Sequence, residues 1–384
     1  MKRPSLPFLY IIGRIVLLLA AIPDTIYGLG DVRDYFAVAG LNGWPFFNYW
    51  VEYPPLFPFL IKSIHQLTGG QEFLFTFLLL LVISAAGAAS LAIFQSLAGR
   101  LYGEERGFHL AVLLFAILTP LPYTWWYYEL IPVMFMLLGL KWLIDRSPNA
   151  GGAAIGLGIL TKWFSALLLP AVWRFRGWKT ALRVSLIALG STLLVFGALY
   201  LVSPQMTRAS LLSQPGRSSW QTVWALIDKN FVTGDYILLE ERADPAMAAY
   251  PRGNPPRIPT LLTLAAFGLA GLWMFFRVRN RSDRSLIAFT GITWVLFLVW
   301  SPGWSPQWVL YLVPLILLTL PVEKALLWAV GLVLLTVLEW PVLVGRHIYQ
   351  ALYVIAPLRM LIFAGLVAQW YRITRQKEQP SAQP

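Results

Sequence analysis

Three carboxylates, Asp31, Asp34 and Glu52, lie in the stretch GDVRDYFAVAGLNGWPFFNYWVEYPPL, Gly30 to Leu56, directly after the first apolar run. In a chain that is 58% hydrophobic and only 12% charged, acids gathered at a membrane edge among aromatics and Pro turns call for a chemical role. Glu129 sits behind four aromatics in TWWYYELIP, and Lys162 lies at the centre of the apolar run AGGAAIGLGILTKWFSALLLPAVW. Arg208, Arg217, Lys229, Arg242, Arg252 and Arg257 fall together in the long polar stretch 203–258. An outward-facing carboxylate, nearby cations and a lipid-embedded cavity suit glycosyl transfer from a lipid-phosphate sugar. The phosphate ester is already a good leaving group, so no general acid is essential. What remains is a base for the acceptor hydroxyl and cations to hold the departing phosphate. Asp31, Lys162 and the loop arginines would supply these parts. A transporter relaying protons through membrane acids fits less well, because the acids cluster in loops rather than along the spans.

These residues need elements to carry them, and composition sets the class. The mean hydropathy is +0.64, and apolar runs of roughly 20 residues recur along the chain. The expected fold is all-α: a polytopic membrane bundle of about 10 full spans, near 6–28, 72–98, 108–124, 129–144, 182–202, 259–276, 285–300, 307–321, 325–342 and 352–370. The 30 Lys and Arg against 18 Asp and Glu read as basic flanks of cytoplasmic span ends, not as a nucleic-acid surface. The absence of Cys removes thiol nucleophiles, thiolate metal sites and disulfides together. His65, His109 and His347 are too scattered in sequence to suggest a zinc site. The N-terminus starts like a signal peptide, but Arg14 interrupts its apolar run and no small-x-small cleavage site follows, so a retained first span is expected.

Residues 150–173 are ambiguous, because a single crossing would leave Lys162 at the midplane at a cost of about 2.5–3.5 kcal/mol. Reading the segment as a broken hairpin of two half-helices puts Arg100, Arg106, Arg146, Arg174, Arg176, Arg183, Arg277, Arg284, Arg372 and Arg375 all on the inside. The hairpin also aims Lys162 toward the outer half of the membrane, where a cavity would solvate it. The domain reading is therefore one transmembrane unit over 1–371 with outer loops 29–71 and 203–258, then a disordered cytoplasmic tail, 372–384. Both termini are expected in the cytoplasm of an inner (plasma) membrane, with the site on the periplasmic or extracellular side. Within the second loop, GRSSWQTVWALIDKN reads as a short amphipathic helix lying on the membrane surface. Glycines at 156–158 precede Lys162 without forming a phosphate loop, and they suit close helix packing instead.

Several short motifs then resemble a known family, the GT-C glycosyltransferases, and within it the polyprenol-phosphate-mannose-dependent mannosyltransferases. Asp31-x-x-x-Tyr35 followed by Val51-Glu52-Tyr53-Pro54-Pro55-Leu56 is similar to that family's first outer loop. Tyr127-Tyr128-Glu129-Leu130-Ile131-Pro132 resembles its second acidic turn, with Glu129 where Asp is usual. Leu160-Thr161-Lys162 with Leu167-Leu168-Leu169-Pro170 resembles its hairpin, and Ser305-Pro306-Gln307-Trp308 resembles its late Trp-rich turn. Arg217-Ser218-Ser219-Trp220-Gln221-Thr222 is similar to its arginine segment, with Gln221-Thr222 where Glu-Ser is usual. The matches run in family order between about residues 31 and 308.

The resemblance implies an inverting, metal-independent enzyme that moves a hexose, mannose by the family's pattern, from a polyprenyl-phosphate-sugar donor to a glycan or glycolipid acceptor. It assigns Asp31 as the base. Tyr35, Tyr53, Glu52 and Glu129 would support the sugar together with Gln221 and Gln307, and Lys162 and Arg217 would neutralise the lipid phosphate. Asp34 falls outside the motif and is read as a polar neighbour in the substrate site, with a divalent metal beside Asp31 as the alternative. No cofactor is expected, since the lipid-phosphate sugar is a substrate, and the partners are this donor, the acceptor and membrane lipids. The competing reading is a lipid or sugar flippase, for which Arg14, Lys141, Lys162, Glu339 and Arg359 would have to line a path.

Overall fold

A computed structural model describes residues 5–20, 30–214, 217–231, 237–250 and 252–376. Among the described residues the chain is helical throughout, and its only β features are the isolated bridges Pro45 to Tyr49 and Trp220 to Gly303. The order begins α1 (Leu6–Ala20), α2 (Val32–Ala39), α3 (Leu56–Leu67), α4 (Glu72–Tyr102), α5 (Glu104–Leu118), α6 (Tyr123–Trp126) and α7 (Leu130–Ile144). It continues with α8 (Pro148–Thr161), α9 (Leu169–Phe175), α10 (Trp178–Val202), α11 (Pro204–Leu212) and α12 (Val223–Asp228). It closes with α13 (Thr260–Arg277), α14 (Asp283–Trp300), α15 (Val309–Thr319), α16 (Val322–Val337) and α17 (Leu352–Arg375).

Among the described residues, six helices are long and apolar enough to cross a membrane. They are α4, α10, α13, α14, the run Val322–Arg346 that extends α16 through a kink, and Tyr349–Arg375, which contains α17. Helix α4 shows how the ends are set: Glu72 opens its first turn and Arg100 closes its last, each complementing the helix dipole, and Gly103 stops it in a positive-φ conformation. The expected spans at 6–28, 129–144 and 307–321 appear as shorter apolar helices, α1, α7 and the stretch ending in α15, while that at 108–124 is divided between α5 and the short α6. The second half of the expected first span, beyond Ala20, lies outside the described residues. Helix α13 is packed mainly on α14 and leaves Leu261, Leu269 and Phe276 facing outward, as a lipid-contacting helix would.

Residues 148–176 fold back on themselves. Helix α8 breaks at Lys162, whose backbone is extended, and a 3₁₀ turn over Trp163–Leu168 leads into α9 with Pro170 in its first turn. The turn closes tightly because Gly158 has no side chain: a Cβ there would lie 2.1 Å from the Ser165 hydroxyl. The two ends of the segment meet. Arg176, just past α9, donates to the Leu143 carbonyl at 3.1 Å and to Asp283 at 2.6 Å, while Arg146, just before α8, lies 3.7 Å from the same carboxylate. This is the expected broken hairpin with Lys162 at its tip. Many of the cations assigned to one side share its base: Arg174 donates to Val278, Arg284 to Thr319 and Arg375 to Arg277.

Two loop expectations change in detail. The stretch after the first span carries two helices, α2 and α3, on either side of a non-helical loop over residues 40–55. The surface helix expected around Trp220 shrinks to α12, because the residues before it are pinned instead. Trp220 accepts from the Trp304 N–H at 3.1 Å and donates to the Pro302 carbonyl at 3.2 Å, which places its ring against Gly303. The polar tail begins later than 372, since α17 runs through Arg375; residues 377–384 lie outside the described residues.

Candidate active site at the tip of the hairpin

Asp31 occupies the N-cap position of α2 without its side chain capping the helix, and its backbone donates to the Trp126 carbonyl at 3.2 Å. The approach is close because Gly30 lies flat on Trp126, where an added Cβ would come within 2.2 Å of the Trp126 Cβ. One turn along α2, the Tyr35 hydroxyl donates to Asp31 Oδ2 at 3.2 Å. Tyr35 is held in turn by edge-on rings of Phe57, Tyr128 and Tyr53 at centroid distances of 4.8, 5.8 and 6.1 Å. Gly30→Ala is expected to push Asp31 off this mark. Its signature is a lowered thermal unfolding midpoint on purified protein, since the added Cβ meets the Trp126 Cβ and backbone rather than a flexible side-chain end, and overpacking of this kind costs about 1–3 kcal/mol.

Behind Asp31 lies a second acid. Glu129 is buried at the start of α7, and its Oε1 accepts from Lys162 at the hairpin tip. The ammonium also stands 4.9 Å from the Tyr128 ring centroid and 5.4 Å from that of Phe164. The other oxygen, Oε2, is buried with no hydrogen-bond partner among the described residues, as are the hydroxyls of Tyr128 and Tyr311. Lys162 was expected to face a phosphate; here its charge is taken up by Glu129.

Glu52 has its own cation. Arg242 binds it with both arms of the guanidinium, at 2.6 Å to Oε2 and 3.1 Å to Oε1, and Arg217 approaches Oε1 at 3.8 Å. This pair stitches the first loop to the second. Around it, Trp50 N–H donates to the Arg242 carbonyl at 3.0 Å, the Trp50 indole to Glu241 and Asp244, Val51 to Ser210, and Gln214 to Glu52. Sequence reasoning placed Arg242 among the loop cations without a partner. Nothing local marks it, since Glu52 is 190 residues away.

Electrostatics separate the acids. Burial, then the charges of Glu129 and Asp34, push the Asp31 carboxyl up to about 7 against the opposing pull of Lys162 and the Tyr35 hydroxyl. Burial also works to raise Glu52, but Arg242 and Arg217 outweigh it and hold that carboxyl at about 2. Asp34 is raised, mainly by burial and then by Glu52. A half-buried, cavity-lining acid that ionises near neutrality suits a base; one locked to an arginine does not.

One cavity of about 330 Å³ gathers most of these groups. Asp31, Asp34, Tyr35, Glu52, Tyr53, Arg217, Gln221 and Gln307 line it, with Arg242, Tyr127, Trp220 and Trp340 completing the walls. Glu129 and Lys162 are not in its lining and sit deeper. Gln221 reaches the wall in a positive-φ conformation, with its carbonyl held by Arg359, which also pairs with the buried Glu339. Among the described residues no group of three His, Cys, Asp or Glu side chains is placed to hold a metal ion.

Fold and site together define an all-helical, multi-pass membrane protein with an acid- and arginine-lined cavity at one end of its bundle. No family model matches the chain, and no curated protein matches it. Among solved structures it is similar to ArnT from Cupriavidus metallidurans bound to undecaprenyl phosphate, with a TM-score of 0.49, 15% identity, and coverage of 96% of this chain and 77% of that one. It is also similar to the Archaeoglobus fulgidus oligosaccharyltransferase in the apo form, with a TM-score of 0.45, 11% identity, and coverage of 98% of this chain and 56% of the other.

Proposed function

We propose that this chain is an inverting glycosyltransferase that moves a hexose, mannose by the motif resemblance, from a polyprenyl-phosphate-sugar to a lipid-linked or glycan acceptor at the outer face of the membrane. The observation that carries the reading is the single cavity bounded by Asp31 and by Arg217. It brings together a carboxyl that ionises near neutrality and a part-exposed cation able to face an anion. The same cavity is lined by Tyr53, Tyr127, Trp220 and Trp340, aromatic surfaces suited to a sugar ring, and by Gln221 and Gln307, whose amides suit its hydroxyls.

In this reading Asp31 takes the proton of the acceptor hydroxyl as that oxygen bonds the anomeric carbon. The bond from that carbon to phosphate breaks, and its electron pair leaves on polyprenyl phosphate. Arg217 stabilises the departing charge, and Arg242 is spent on holding Glu52 beside it. The unpaired Oε2 of Glu129 is buried behind the cavity rather than in its lining, so a bound water, not the substrate, is the partner it would take.

The flippase reading is weaker on the same geometry. Arg14, Lys141 and the Glu339–Arg359 pair each have local partners: Ser84 and Thr124, Asp145, and one another. The test is to incubate purified protein with polyprenyl-phosphate-linked sugars and membrane glycolipid acceptors, and to follow release of polyprenyl phosphate by mass spectrometry. Stoichiometric release with acceptor glycosylation is expected. Movement of intact donor between leaflets without release would overturn the reading.

A further inference from the structure

Arg14 is the charge that interrupts the first apolar helix, and neither the cavity nor the proposed chemistry uses it directly. It is almost fully buried. Its guanidinium donates to the Ser84 hydroxyl on α4 at 3.1 Å, to the Thr124 hydroxyl at 2.8 Å and to the Thr124 carbonyl at 2.6 Å. Its plane stands 3.3 Å from the Trp125 ring centroid, with Tyr10 at 5.6 Å. A buried cation this fully engaged fixes what it touches, and here that is the short helix α6. The next residue of α6, Trp126, supplies the carbonyl that receives the Asp31 N–H and the surface on which Gly30 lies.

We infer that Arg14 is a positioning residue for Asp31, acting through the Thr124–Trp126 turn that holds the backbone of the base in place. The inference rests on Asp31 being the base of the proposed reaction. Arginine is specific to the task. Its planar fork reaches a hydroxyl and a carbonyl of the same residue while stacking on an indole, and a lysine ammonium supplies a point charge without that plane. Removing the fork leaves α6 free to shift, and small displacements of a reacting group cost far more in rate than in binding.

The test uses full-length protein in lipid nanodiscs, comparing wild type with Arg14→Lys, Ser84→Ala and Asp31→Asn. Arg14→Lys is expected to lower kcat about tenfold or more while the donor KM stays within about twofold. Its acid limb should also move to lower pH, because a loosened turn admits water to Asp31 and burial is the largest cause of its raised value. The other groups facing Asp31 are Asp34 and Tyr35 on α2, Tyr53, Tyr127, Glu129 and the hairpin's Lys162. All are left intact. Ser84→Ala removes one bond of the clamp and should show the same changes in smaller degree, which keeps the test valid if Arg14→Lys folds poorly. A wild-type kcat and pH profile in both clamp variants, with Asp31→Asn inactive, overturns the positioning role alone. So does a loss that disappears once activity is scaled to folded protein. An active Asp31→Asn overturns the base assignment and the positioning role together.

Discussion

Asp31→Asn is expected to lower turnover by about 10²–10⁴-fold, the contribution of a well-placed general base, with the donor KM little changed because Arg217 and the aromatic walls remain. The readout is release of polyprenyl phosphate at saturating donor. The pH dependence of the wild type offers an independent check. In the proposed reaction Asp31 would act as a base only when ionised, and its carboxyl is held at about 7, first by burial and then by Glu129 and Asp34. Activity should therefore fall on the acid side of neutrality, about tenfold per pH unit well below the midpoint. Substituting Glu129→Gln removes a raising charge and leaves Lys162 uncompensated, so both effects pull the acid limb to lower pH. Lys162→Met should move it the other way. An acid limb near pH 4 in the wild type, or an Asp34→Asn variant that loses more activity than Asp31→Asn, would sink the assignment.

Why these residues were legible, and others not, follows from the range of the forces that place them. Asp31 and Tyr35 are paired in the sequence only by the motif resemblance, within a stretch read as a loop; that they stand one turn apart on a helix and share a hydrogen bond is what the structure adds. The broken hairpin was readable. A lysine in the middle of an apolar run is too costly to leave in lipid, and the arginines on either side demand a common side. The structure adds what Lys162 meets, a buried Glu129 33 residues earlier, which charge counting alone does not specify. Arg242 and Arg14 are less legible still, because each acts on backbone or carboxylate far away in sequence. The Trp220 segment misled for the opposite reason. Interleaved Trp and Leu satisfy a membrane-surface pattern, yet the Trp220 ring fills a slot over Gly303 and the Trp224 indole donates to the Val299 carbonyl. Amphipathic spacing identifies an apolar face without saying whether lipid or protein covers it.

Arg242→Gln is expected to be the most destabilising single change at the site. Glu52 is buried with its oxygens turned to Arg242, and removing one partner of a buried pair leaves an uncompensated charge at a cost of about 3–5 kcal/mol. The sign of the pH dependence follows from Glu52. Its carboxyl ordinarily titrates near 4.5 and is brought to about 2 in the folded chain, so the stabilisation is fully present above 4.5 and drains away as pH falls toward 2. Arg242→Gln should flatten that acid limb in a thermal unfolding series recorded in nanodiscs. The double change Glu52→Gln/Arg242→Gln should recover much of the lost stability, since two neutral amides can pair where a lone carboxylate cannot. The double variant also decides what Glu52 is for. If Glu52 only tethers Arg242 and leaves Arg217 facing the cavity, the double variant keeps the donor KM once stability is restored. If Glu52 itself holds a sugar hydroxyl, KM stays raised by about tenfold, the value of one charge-assisted hydrogen bond, however stable the protein has become.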